Sequence, residues 1–66
     1  MIVKVHYASG RTRQGEVVGK IPRGSGTSDQ IIAFLFQQTS FTMEVGTSKK
    51  VVEINTENVE EIEFIE

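Results

Sequence analysis

Alternation with a period of two opens the chain. Val3, Val5 and Tyr7 fall on one face and Lys4 and His6 on the other, which predicts a half-buried strand. Ala8-Ser9-Gly10-Arg11 follows as a turn in which Gly10 can take the positive φ that a short hairpin loop demands. The return strand is read from Thr12 to Ile21. Gly15 and Gly19 within it mark a bulge or a sharp bend of the kind that curls a sheet into a barrel. Residues 22–29, Pro-Arg-Gly-Ser-Gly-Thr-Ser-Asp, are the loop-like run that ends this hairpin.

Gln30 to Gln37 supports two readings. Thr27-x-x-Gln30 has the form of a capping box that starts a short helix. Ile31, Ile32, Phe34 and Phe36 are strand formers in a run short for a helix, and a strand is preferred. As a strand it carries Ile31, Ala33 and Leu35 on one side and Ile32, Phe34 and Phe36 on the other. One apolar face then enters the core, and Ile32, Phe34 and Phe36 are expected to lie in an oligomer interface, so the chain is not expected to be a stable monomer.

Phe41, Met43 and Val45 alternate with Thr42 and Glu44 as a further half-buried strand, turned back by Gly46-Thr47-Ser48-Lys49. Val51 to Ile54 is the next strand, and Asn55-Thr56-Glu57-Asn58 can form a single helical or 3₁₀ turn that Val59 packs down. The last strand, Glu60 to Glu66, is read with Ile62 and Phe64 inward and Glu61 and Glu63 outward. The first and last strands are expected to pair and close a barrel, with Lys4 beside Glu61 or Glu63.

The 66 residues suffice for one small domain over positions 1–66. A chain of this size buries only about 60% of the surface it exposes when unfolded, so its stability margin is thin. It has no cysteine for a disulfide and one histidine, His6, too few for a Cys/His zinc site within one chain. Oligomerisation is the remaining common remedy. The longest apolar run, Ile31 to Phe36, is six residues, against the roughly 20 needed to span a bilayer. A soluble, cytoplasmic protein is expected, with no membrane partner.

Charge is divided along the chain. Lys4, Arg11, Arg13, Lys20 and Arg23 stand against Glu16 in residues 1–23, a net of +4. Residues 24–66 carry a net of −6, from eight acids against Lys49 and Lys50. A total of −2 thus hides two halves able to attract opposite partners, or each other.

A strand, a Ser-Gly-Arg turn and a long strand with spaced glycines run through Val3-Lys4-Val5-His6-Tyr7-Ala8-Ser9-Gly10-Arg11-Thr12-Arg13-Gln14-Gly15-Glu16-Val17-Val18-Gly19. This stretch resembles the first half of an Sm-like barrel, and the ending, strand, Asn-Thr-Glu-Asn-Val turn, strand, is similar to small SH3-like barrels. The resemblance is one of architecture and implies an all-β fold of about five strands with one short helical turn. The Asp-x-x-x-Asn pattern that Sm-like proteins use to hold RNA is replaced here by Lys20-Ile21-Pro22-Arg23, and the later Arg/Lys-Gly pair by Ile54-Asn55-Thr56. Sm-type uridine recognition is therefore carried over onto no residue.

Two groups of residues suit an anionic ligand. The backbone amides of a glycine-rich loop, Gly24-Ser25-Gly26-Thr27-Ser28, can converge on an anion, and Arg23 can add a bidentate contact to phosphate. Arg11 and Arg13, two apart on a strand, share a face and with Lys20 and Arg23 can make a cationic stripe, beside which Tyr7 is the one polar aromatic available for stacking a base. No elbow, triad or metal-ligand spacing accompanies His6, so no catalytic residue, cofactor or metal is expected. The Glu60, Glu61, Glu63 and Glu66 cluster reads as a guard against edge-to-edge pairing rather than a cation site. The expectation is a non-catalytic homo-oligomeric module that captures a nucleotide or nucleic acid. The alternative is a small inhibitor or adaptor, of the kind mobile elements encode, that sets its acidic half on a basic protein.

Overall fold

A computed structural model of the chain describes residues 1–19 and 27–66. The opening alternation forms β1, Ile2–Tyr7, and the return strand β2 runs Thr12–Val18. Between them Gly10 takes a φ of +92° and donates its N–H to the Tyr7 carbonyl at 2.9 Å, while the Tyr7 N–H reaches the Arg11 carbonyl at 2.8 Å. This is the three-residue hairpin loop in which a left-handed glycine follows a tight turn. β2 stops at Val18, short of the expected Ile21, because Gly19 turns to φ +106°.

The remaining strands are β3, Ser40–Val45, β4, Lys50–Asn55, and β5, Val59–Phe64, with a 3₁₀ turn, Thr56–Asn58, between the last two. All pairings are antiparallel and the order is β4-β3-β2-β1-β5. The chain is thus mainly β, with an architecture compatible with the small SH3-like barrels it resembles.

As expected, the first and last strands pair, with Lys4 opposite Glu63 and His6 opposite Glu61. A side-chain contact is made diagonally, His6 Nε2 to Glu63 Oε1 at 3.1 Å. The barrel closure expected from that pairing is not made, since β4 and β5 end the order without a ladder between them. The sheet is nevertheless curled. In a flat sheet the two end strands would lie roughly 19 Å apart, whereas the four residue steps from Asn55 to Val59 can reach at most about 14 Å.

Gly15 is where the curl is made. Residues 12–16 of β2 pair with β1 and residues 15–18 with β3, so the strand changes partner at Gly15 and Glu16. A Cβ at Gly15 would collide with the Glu44 carbonyl oxygen and lie 2.8 Å from Val45 Cγ1. Only glycine lets the two strands approach so closely.

The preferred strand at residues 30–37 is overturned: Ser28–Gln37 is a helix, α1. Thr27 caps it, its Oγ1 accepting the Gln30 N–H at 3.3 Å, as the capping-box alternative implied. Strand propensity loses here because the inner face of the curled sheet needs a lid, and a helix that is apolar on several sides supplies one. Leu35, 2% exposed, enters the core with Val3, Val5, Val17, Phe41, Met43, Ile54 and Ile62. Ile32 packs against the same cluster, which removes it from the surface where the strand reading placed it. Phe34 is half-buried and Phe36 is exposed.

In β5, Val59 and Ile62 both turn inward although they are three apart, because the register with β1 shifts by one residue between His6 and Tyr7. Phe64 stands opposite Val3 and so lies on the inner face as expected, but at the end of the sheet it remains 44% exposed. Among the described residues no helix is long and apolar enough to cross a membrane.

Candidate anion-binding site

Directly opposed residues in an antiparallel pair point to the same face of the sheet. Arg13 stands opposite Val5, which is fully buried, so Arg13 belongs to the inner face. Two-residue periodicity puts Arg13, Gly15 and Val17 together on that face of β2, with Arg11 just before the strand in line with them. Only the Val17 end is buried in the core. At the hairpin end the same face runs out from under the core, and both arginines are exposed to water. Among the described residues neither makes an ion pair.

These arginines line a cleft of about 360 Å³ together with Tyr7, Ala8, Ser9 and Asn58. Tyr7 is half-buried and leans on the core, which holds its ring in place while leaving part of it accessible. Asn58 arrives from the far end of the sequence because the Ala8 N–H donates to its carbonyl at 3.0 Å, tying the 3₁₀ turn to the hairpin. The cleft therefore combines two guanidinium groups, a phenol ring, a hydroxyl and an amide. That is the donor set of an anion site with a stacking surface beside it.

Electrostatic sorting by face makes the site cationic in a chain that is acidic overall. Glu16 opposes Ile2 and Glu44, Glu53 opposes Thr42, and Glu61 and Glu63 oppose His6 and Lys4. All five of these acids lie on the outer face of the sheet, away from Arg11 and Arg13. Lys4, a cation of the first half, stands opposite Glu63 of the second on that outer face.

No protein-family model, curated protein or solved structure matches this chain. The cleft is therefore read from its own chemistry.

The expected site residues are divided by the structure. Arg11 and Arg13 come together in the cleft with Tyr7. Thr27 and Ser28 sit at the start of α1, where the Thr27 hydroxyl is occupied in capping, and neither lines the cleft. Lys20, Arg23, Gly24, Ser25 and Gly26 lie outside the described residues. Ser9 and Asn58 were not anticipated. Asn58 carries no local signal, since its place depends on a strand pairing across the whole chain, but Ser9 could have been found from its position at the tip of the Arg11 hairpin. Among the described residues no three His, Asp or Glu side chains gather as a metal-holding group. Glu60, Glu61 and Glu63 lie within β5, one edge of which has no partner strand among the described residues.

Proposed function

We propose that the chain is a non-catalytic, cytoplasmic binding module that captures an anionic ligand, a nucleotide or a nucleic acid, on the inner face of its first hairpin. The observation that carries this is the pair Arg11 and Arg13, on the core-side face of β2 yet exposed, lining one cleft with Tyr7. Surface cations usually point away from a core. Here two of them occupy the face that elsewhere in the strand is apolar, where a phosphate can be gripped while a base rests on the ring.

A 5′-fluorescein-labelled oligouridylate followed by anisotropy tests this. Saturable binding is expected, with log affinity falling linearly against log salt at a slope of about −0.7 for each phosphate neutralised. Tyr7 is the sole tyrosine in a chain without tryptophan, so quenching of tyrosine emission on binding reports the stacking directly. No binding of the oligonucleotide or of any mononucleotide even at low salt would remove the proposal. It would leave in front the rival role as an inhibitor or adaptor for a basic protein. One feature favours that rival: Glu44 and Glu16, the latter met by the Met1 amine at 3.5 Å, are directly opposed acids on the acid-rich outer face, an arrangement that a further cationic partner would relieve.

Self-association is the second part of the proposal. It rests on the edges of β4 and β5 that have no partner among the described residues and on exposed Val51, Phe64 and Ile65, and no longer on Ile32, which the helix packs against the core. Sedimentation equilibrium at high micromolar concentration is expected to give a mass of at least twice 7.4 kDa. A 7.4 kDa species alone would reject self-association.

A further inference from the structure

The 3₁₀ turn Thr56–Asn58 has a cleft on each flank. Asn58 walls the cationic one. Thr56 and Glu57 wall another, of about 410 Å³, whose other sides are Phe36, Gln37 and Gln38 at the end of α1, Thr39, and Asn55. The turn is fixed between them. The Thr56 hydroxyl donates to the Gln38 and Thr39 carbonyls at 2.6 and 3.0 Å, and the Ala8 N–H ties Asn58 to the first hairpin.

The two clefts differ in charge and are of similar volume. Among the described residues the second contains no cation; its charged member is Glu57, held by Asn55 through a 3.3 Å contact in each direction. A phosphate would be repelled there. Phe36 nevertheless exposes 39% of its surface at its rim, beside the exposed amides of Gln37 and Gln38. An aromatic face next to amides and a carboxylate is chemistry for a flat neutral group with hydrogen-bonding edges, which describes a nucleobase.

We infer that Phe36, Gln37 and Glu57 form a second base-binding subsite, and that the ligand is a single-stranded oligonucleotide crossing the 3₁₀ turn from the arginine cleft. The inference rests on the proposed nucleotide capture and narrows its substrate class. A mononucleotide fills the cleft of Tyr7, Arg11 and Arg13 alone. A longer strand adds a base on Phe36, with its phosphates kept on the arginine side.

The test compares uridine monophosphate with oligouridylates of two, four and eight nucleotides, on the wild-type protein and on Phe36→Ala and Gln37→Ala. Affinity is expected to rise by roughly 5- to 100-fold between the mononucleotide and the tetranucleotide, the step a stacked base supplies. Phe36→Ala is expected to erase most of that step and leave mononucleotide affinity unchanged. Gln37→Ala, a substitution to the best helix former at an exposed position, is expected to reduce the step while preserving the fold, as checked by circular dichroism. An undiminished step in both variants would overturn the second subsite and leave the arginine cleft standing. A tetranucleotide bound no more tightly than the mononucleotide would do the same. Absence of binding for every length would remove both.

Discussion

Arg11→Glu combined with Arg13→Glu is expected to lower affinity for an oligouridylate by at least about 100-fold at unchanged thermal stability. A hydrogen bond to a charged group contributes on the order of 1.5–3 kcal/mol, so losing two amounts to roughly 3–6 kcal/mol, and each 1.4 kcal/mol is a factor of ten. The reversal also places two carboxylates where the phosphate sits, and the salt dependence is expected to flatten by about 1.4 in slope as two phosphate contacts disappear. Both side chains are exposed, so the fold has little to lose. The paired control is Arg11→Lys with Arg13→Lys, which keeps the charge and removes the planar fork. An intermediate loss there separates bidentate recognition from simple attraction. Wild-type affinity in the double glutamate variant would show that the anion is bound elsewhere.

Gly15→Ala is expected to add the most crowded methyl group of any glycine substitution among the described residues. The added carbon runs into the Glu44 carbonyl and approaches Val45 Cγ1 and Met43 Cε at 2.8 and 3.0 Å. The Met43 terminus can move, but the carbonyl belongs to the backbone of β3 beside the Gly15 to Val45 pair, and its retreat separates β2 from β3. Overpacking of this kind costs about 1–3 kcal/mol, occasionally more, in a domain whose single small core supplies roughly 3–5 kcal/mol. With about 4–8 °C of Tm lost per kcal/mol for a domain of this size, a fall of roughly 4–24 °C is expected in a calorimetric scan. A wild-type Tm would mean that β2 and β3 do not cross this tightly.

Much of the fold is legible in the sequence wherever apolar and polar residues alternate cleanly. Val3 with Val5 and Phe41 with Met43 announce their strands and their inward faces, and Gly10 and Gly46 announce the turns, both taking positive φ. Legibility fails where one pattern serves two structures. Ile31 to Phe36 satisfies a strand buried on both faces and a helix lying over a core, and only the position of the run against an already complete ladder of strands decides between them. It fails again at Val59 and Ile62, whose three-residue spacing contradicts a strand until the shift opposite His6 and Tyr7 is known.

For the candidate site, the sequence names Arg11, Arg13 and Tyr7 but not the face they share. Gly15 interrupts the apolar pattern, so nothing local links the arginines to Val17 and hence to the inside of the sheet. Pairing with Val5 makes that link, through residues that carry no charge and no chemistry of their own.

The ladder between Ile2–Tyr7 and Val59–Phe64 has a consequence in time as well as in space. The β1–β2 and β3–β4 pairs are hairpins of nearby residues and belong to a class of event that takes about 1–10 μs. The β1–β5 pair joins residues separated by almost the full length of the chain, and contacts of that range are the slow part of folding because the loop entropy must be lost before they form. Asn58 reaches the hairpin only when that last strand docks. An emerging or partly unfolded chain thus carries both arginines but no cleft, which is assembled only when β1 and β5 meet.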